Sequence, residues 1–304
     1  MNQISDHPLY KAHTIDSAMN SLWDFYTGRF IPLFLISFTM GLILQYISSL
    51  ITIDFADYQT LNIDQMMLKL REYIWPMIFV SLVGLLFTTV LQYYVIYNPI
   101  DPEKNILNCI INSLRFYIPY LIIMVFLGIA ASFVLFLGLL MIIVGVLFAA
   151  VYIMTVYLFI LPVMMVEGPH IGNTISRTVI LSHRNFWSNI GWTAVFVIII
   201  LVISTILSGF ILLPFTGSFM NVIKNPENAG EIMEITSKPL YIILSAILNG
   251  ITLPLLPIFS SILYFNGIAR EKPDVDFESG NDYHDERPGI DDLYAKPREE
   301  DYNV

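Results

Sequence analysis

The sequence predicts an all-α polytopic membrane protein: six transmembrane helices with amphipathic helices lying in the cytoplasmic interface. Two observations carry this. Of the 304 residues 56% are hydrophobic and 13% charged, with mean hydropathy +0.68, whereas an ordinary soluble domain carries about 25% charged residues. The apolar residues also come in blocks. Phe30–Ile53, Tyr73–Ile100, Phe116–Val166, Asn185–Ile223 and Pro239–Ala269 contain no Asp, Glu, Lys or Arg, and each exceeds the roughly 20 residues a spanning helix needs. What remains is too short for a separate soluble enzyme domain.

Taken in chain order, residues 1–29 are polar and carry both signs of charge. They lack an apolar core followed by a small-residue cleavage site, so the first span is expected to serve as its own insertion signal. Within them Ile15, Ala18, Met19, Leu22 and Tyr26 share one helical face, opposite Asp16, Ser17, Asn20, Ser21 and Asp24. Thr14 is the expected N-cap, with Asp16 in the first turn. The membrane domain occupies 30–266. The Phe116–Val166 run is more than twice the ~30 Å hydrocarbon thickness at 1.5 Å per residue, so it reads as a hairpin turning near Gly138. The six spans are therefore 30–51, 74–97, 117–137, 141–165, 189–213 and 239–266.

An even number of spans places both termini on one side. That side holds Lys11, Arg29, Lys104, Arg115, Arg177, Arg184, Arg270 and Lys272, against Lys69, Arg71, Lys224 and Lys238 opposite. Short loops rich in Lys and Arg stay cytoplasmic, so both termini are expected inside the cell. Cys109, the one cysteine, excludes an internal disulfide and offers a thiol with which to read that orientation.

Two further segments repeat the amphipathic design. Asp101 and Pro102 read as N-cap and N1 of a helix whose apolar face is Ile106, Leu107, Ile110, Ile111 and Leu114. Asn173–Trp187 carries a stripe of Ile175, Val179, Ile180 and Phe186 opposed by Arg177 and Arg184. Such helices suit the membrane interface. Residues 20–36 and 112–123 both run Asn-Ser-Leu, aromatics, then Ile-Pro into a span, which suggests three parallel helix-plus-hairpin units over 14–97, 104–166 and 173–267. In the external loops, Asn62–Ile74 and Asn225-Pro226-Glu227 read as short helices capping the outer ends.

At 161–192 the chain reads LPVMMVEGPHIGNTISRTVILSHRNFWSNIGW, and at 253–271 LPLLPIFSSILYFNGIARE. A proline before the end of a span, a Glu-Gly exit, a surface helix with Ser-Arg and a proline-rich last span closing on Tyr-Phe resemble the membrane-domain family of glycerophosphoryl diester phosphodiesterases. The resemblance implies architecture, with six spans over about 14–270. In that family the catalytic part is a separate barrel domain with its own acidic and histidine residues. Only an acidic tail follows here, so the activity is not carried over.

Little chemistry is available to the spans. None of the six contains Asp, Glu, His, Lys or Arg, the groups that proton relays, voltage sensors and ion-coupled transporters keep in the membrane. The histidines are His7, His13, His170, His183 and His284, outside the spans and without His-Glu-x-x-His spacing. No catalytic residue, cofactor or metal is expected. Glu167, at the exit of the fourth span, with Arg177 and Arg184 folding back beside it, is the candidate for holding a lipid phosphate; ordinary interfacial charge is the alternative.

Gln45, Gln92 and Asn249 are read as helix-to-helix hydrogen-bonding groups, and Ser37/Gly41, Gly128/Ser132, Thr205/Gly209 and Ala246/Gly250 as sites of close helix packing. Trp23, Trp75, Tyr97, Trp187, Trp192 and Tyr264 fit aromatic belts. Pro254 and Pro257 after Asn249-Gly250 either kink the sixth span or break it to form a binding site.

The tail, 267–304, has 12 acidic and 5 basic residues and so supplies −7 of the net −10. It cannot bury enough apolar surface to fold alone. Its tyrosines among acids read either as a docking motif for a basic cytoplasmic protein partner or as a plain solvated tail. Membrane lipids are the other expected partners, and nucleic acid is not one. The expected function is a non-catalytic membrane scaffold or accessory subunit; the competing class is a transporter or lipid-handling protein with an uncharged cavity.

Overall fold

The computed structural model describes residues 4–51, 63–101, 106–224 and 235–271. The chain divides into units Met1–Arg270 and Glu271–Val304, and the expectations for the tail beyond Glu271 and for Asn225-Pro226-Glu227 lie outside the described residues. The described elements are helical: α1 (Ile15–Gly28), α2 (Phe30–Ser49), α3 (Ile63–Tyr97), α4 (Ile106–Leu140), α5 (Ile142–Glu167), α6 (Ile171–Arg184), α7 (Phe186–Leu212), a 3-10 turn (Leu213–Phe215), α8 (Thr216–Lys224), α9 (Pro239–Thr252) and α10 (Leu255–Ala269). Six stretches are long and apolar enough to cross a membrane: Phe30–Ser49, Arg71–Tyr97, Ile106–Leu140, Ile143–Glu167, Phe186–Asn221 and Pro239–Ala269. The protein is thus an all-α polytopic membrane protein, as its sequence predicts.

The α4–α5 hairpin turns at Met141, three residues beyond Gly138. Glycine still decides the geometry. A Cβ on Gly138 would lie 2.8 Å from the Gly145 carbonyl oxygen, and one on Gly145 would strike the Gly138 carbonyl oxygen. Only two glycines let the backbones cross this closely so soon after the turn.

The amphipathic segments divide into different fates. In α1 Thr14 is the N-cap, its side chain accepting from the Ser17 N–H while the Ser17 hydroxyl accepts from the Thr14 N–H. Ala18, Leu22, Phe25 and Tyr26 are buried, with Ile15 and Met19 packed beside them, so this apolar face docks on the bundle and not on lipid. In α6 the reverse holds. Thr174, Thr178, Leu181 and Ser182 are buried, while Ile175, Val179 and Ile180 remain exposed.

The segment 106–114 is not a separate helix. It forms the first turns of α4, with Ile106, Leu107, Ile110, Ile111 and Leu114 exposed. The three-unit repeat therefore fails at its second member. The first unit has Gly28 between surface helix and span, and the chain breaks there at Arg29; the second runs from Asn112 to Pro119 without a glycine and stays helical. Of the Asn62–Ile74 segment, the described residues from Ile63 onward belong to α3, so they extend the span and do not cap it.

Two of the four small-residue pairs pack, and they pack against each other. A Cβ on Gly41 would sit 2.7 Å from Asn249 Cβ and 3.5 Å from Ala246 Cα, and one on Gly250 2.8 Å from the Phe34 ring. Ser37, Gly41, Ala246 and Gly250 thus form the close seam between α2 and α9. Gly128 and Gly209 have nothing within 4 Å of their Cβ positions; those pairs lie away from helix contacts.

The sixth span changes neighbours midway. Leu253 and Pro254 keep right-handed helical dihedrals, so the chain kinks without unwinding. Pro254 and Pro257 lack the N–H groups a continuous helix would use, and the Tyr26 hydroxyl donates to the nearby Ile251 carbonyl from α1. Before the kink α9 packs on α2 and α7; after it α10 packs on α1, α3 and α5. Every residue from Pro257 to Asn266 is buried. A helix apolar all round belongs inside a bundle, and α10 is its axis. Gln92 on α3 donates to Ser261 Oγ at 2.8 Å and to the Pro257 carbonyl at 3.2 Å, while the Ser260 hydroxyl donates to the Leu158 carbonyl of α5.

Several expectations are corrected by this core. Trp192 and Tyr264 are buried and not in an aromatic belt, whereas Trp23, Trp75 and Trp187 are exposed. Cys109 is 1% exposed, so its failure to react with a thiol reagent would report burial, not the side of the membrane.

Candidate functional site

The polar groups at the end of the bundle that carries the N-terminal segment converge on α10 from α3, α5, α6 and that segment. The exit of α5 is set by Gly168, whose φ of 114° and ψ of 157° belong to a region essentially reserved for glycine. The chain there reverses through Pro169 and His170 into α6, which brings Arg177 back over the end of α5. Arg177 Nε donates to Glu167 Oε1 at 3.0 Å, and the buried Tyr264 hydroxyl donates to the same oxygen at 3.2 Å. Beside them the Tyr97 hydroxyl of α3 donates to the Met165 carbonyl. Of the sequence candidates the structure brings Glu167 and Arg177 together, and the sequence did not point to Tyr264.

Arg184 is the last residue of α6, seven residues or about 10 Å further along the helix than Arg177. A lipid phosphate approaching Arg177 would meet the Glu167 carboxylate already on its guanidinium. With side chains 28% and 32% exposed, the ion pair itself contributes on the order of 0–1 kcal/mol; its value is positional, tying α5, α6 and α10 together. Gly168→Ala is expected to cost about 1–3 kcal/mol through backbone strain, read as a lower melting temperature in detergent, and to free α6 for proteolysis ahead of the bundle.

A second cluster was not legible in the sequence. Segment 4–14 folds onto α10 and α3 through two buried histidines. His7 Nε2 bonds the Val95 carbonyl at 3.1 Å, while its Nδ1 accepts from the Leu9 N–H at 3.1 Å. That pattern requires neutral imidazole with the proton on Nε2. The ring packs on Phe25 and Phe265. Burial pushes its pKa down to about 4, the Val95 bond opposing and Arg29 adding to the shift. At His13 the N–H donates to Asn266 Oδ1 at 2.8 Å, and Arg270 donates both to that oxygen and to the His13 carbonyl. A further unpredicted bond comes from Asn189 Nδ2, which donates to the Leu181 and Ser182 carbonyls and so caps α6.

Two cavities flank the α2–α9 seam. One, about 580 Å³, is apolar and lies against the kink among Met40, Leu85, Leu91, Met124, Leu253 and Pro257. The other, about 270 Å³, lies between α2, α7 and α9 and is lined by Gln45, Ser208, Tyr241, Ser245 and Asn249. Gln45 and Asn249, read from sequence as helix-to-helix partners, line this second cavity; only Gln92 of the three bridges helices. Among the described residues no group of three His, Cys, Asp or Glu is gathered as a metal site. Comparison with known proteins finds no matching family model, no matching curated protein and no matching solved structure.

Proposed function

We propose that this integral membrane protein is a non-catalytic scaffold or accessory subunit, with both termini cytoplasmic and the acidic tail offered to a basic partner. What supports this reading is one observation: at the α10 end the strongly polar groups are engaged with one another across elements. Glu167 joins Arg177 and Tyr264, Asn266 joins His13 and Arg270, and Gln92 joins Ser261. Such pairing stiffens a platform and leaves few groups to act on a substrate. A kinship to the phosphodiesterase membrane domains is proposed on the two sequence motifs alone.

The test is crosslinking in native membranes followed by isolation of the full chain, compared with a form ending at Glu271. The full chain is expected to bring down a defined set of cytoplasmic proteins that the shortened form loses, with equal melting temperatures for the two. Retention of every partner by the shortened form would overturn the tether, and the absence of any crosslinked protein would overturn the scaffold. A second reading, a lipid-handling protein, is favoured by the apolar cavity of about 580 Å³ at the kink, which at that depth has acyl chains as its surroundings.

A further inference from the structure

The cavity between α2, α7 and α9 gathers unpaired polar side chains of a kind that occur singly elsewhere in the spans, as at Ser37 and Thr193. Five polar side chains from three helices line it: Gln45, Ser208, Tyr241, Ser245 and Asn249. Among the described residues none of the five has a side-chain hydrogen-bond partner, in contrast to Gln92, Thr89, Thr205 and Ser261, which do. Unsatisfied polar groups are costly in a bilayer, several kcal/mol each in hydrocarbon. A chain that merely needed helix-to-helix bonds would have paired these amides and hydroxyls with one another across the seam.

Depth and size narrow the occupant. Gln45 lies four residues from the end of α2 and Tyr241 three residues into α9, while Asn249 lies eleven residues in. The lining therefore runs from near the surface to about 15 Å along α9 at 1.5 Å per residue. The volume of about 270 Å³ corresponds to about nine waters at ~30 Å³ each, or one polyol-sized molecule. The lining contains no Asp, Glu, His, Lys or Arg, so a charged guest would enter without a counter-charge in a region where charge is expensive. The amides and hydroxyls both donate and accept, and Ile211, Leu212 and Leu248 complete the wall with surface suited to a carbon skeleton.

We propose that this cavity is a binding site for a small uncharged solute rich in hydroxyl groups, entered from the end of the bundle opposite Glu167. The site goes beyond the scaffold reading and stands or falls apart from it, because it uses none of the residues that tie α10 together.

The test uses the full chain in lipid nanodiscs with Cys109→Ser and Ser245→Cys, so that the introduced thiol reports on the cavity. Maleimides react with the thiolate, which forms in water and is suppressed in apolar surroundings. Ready alkylation by a small hydrophilic maleimide is expected, slowed saturably by glycerol and not by glycerate, in which a carboxylate replaces one hydroxymethyl group. Gln45→Leu and Tyr241→Phe, on different helices, are each expected to weaken glycerol protection roughly fivefold by removing one hydrogen-bonding partner, without lowering the melting temperature. Failure of the thiol to react would overturn the proposal by placing lipid in the cavity. Equal protection by glycerol and glycerate, or unaltered protection in both variants, would overturn it as non-selective. Protection by a glycolipid but not by free glycerol would also overturn it, assigning the site to a lipid headgroup.

Discussion

Gly41→Ile is expected to open the α2–α9 seam and lower the melting temperature of the full chain in detergent by at least roughly 5 °C. Its first added carbon alone would stand 2.7 Å from Asn249 Cβ, with Ala246 Cα 3.5 Å away. Atoms of the opposing helix that close to its axis cannot rotate aside, so the helices must part. Overpacking of this kind costs about 1–3 kcal/mol, sometimes more, and in a membrane the seam has little hydrophobic driving force to resist it, since lipid tails are as apolar as the side chains they replace. The same substitution at Gly128 or Gly209, where nothing lies within 4 Å, is expected to leave the melting temperature unchanged. Equal losses at Gly41 and Gly128 would show that glycine matters here through helix flexibility and not through contact.

The second large effect is loss of stability in mild acid. The pKa of His7 lies near 6.5 when unfolded and is pushed down to about 4 in the fold, so between those values the unfolded chain binds the additional proton. Stability is then complete above about pH 6.5 and falls as the pH drops towards 4, below which both states are protonated and the effect levels off. The full difference is about 3 kcal/mol at 1.36 kcal/mol per unit, or roughly 5–10 °C in melting temperature. His13, also shifted downward chiefly by burial, adds in the same direction. Protonating His7 Nδ1 removes the acceptor used by the Leu9 N–H, so the N-terminal segment should release first. His7→Gln retains a donor for Val95 but does not titrate; its melting curve should be flatter across this window. An unchanged pH profile in that variant would remove His7 as the cause.

The contrast between the two clusters at α10 explains how much of the site could be read in advance. Glu167 and Arg177 are ten residues apart across a single glycine turn, and a sequence carries such local pairings well. His13 and Asn266 are separated by 253 positions, and Tyr26 and Ile251 by 225. No periodicity links them. The sequence also could not separate Gln92 from Gln45: both are lone amides in apolar runs, one satisfied by α10 and the other facing a cavity.

By itself the sequence determined the membrane class, the six spans, the Thr14 cap and the positions of the glycines, because these follow from local hydropathy, backbone freedom and capping chemistry, which need only near neighbours. Tertiary structure alone decided which side of each amphipathic segment meets protein. The apolar stripe of α1 is covered while that of α6 is left exposed, although both read alike, since in a bilayer an apolar face is stable against either lipid or protein. It also decided that the last span yields its second half, α10, as the buried axis of the bundle. Pro254 permits the kink, but only the seam at Gly41 and Gly250 and the polar clamps at Gln92, Glu167 and Asn266 fix where the two halves go.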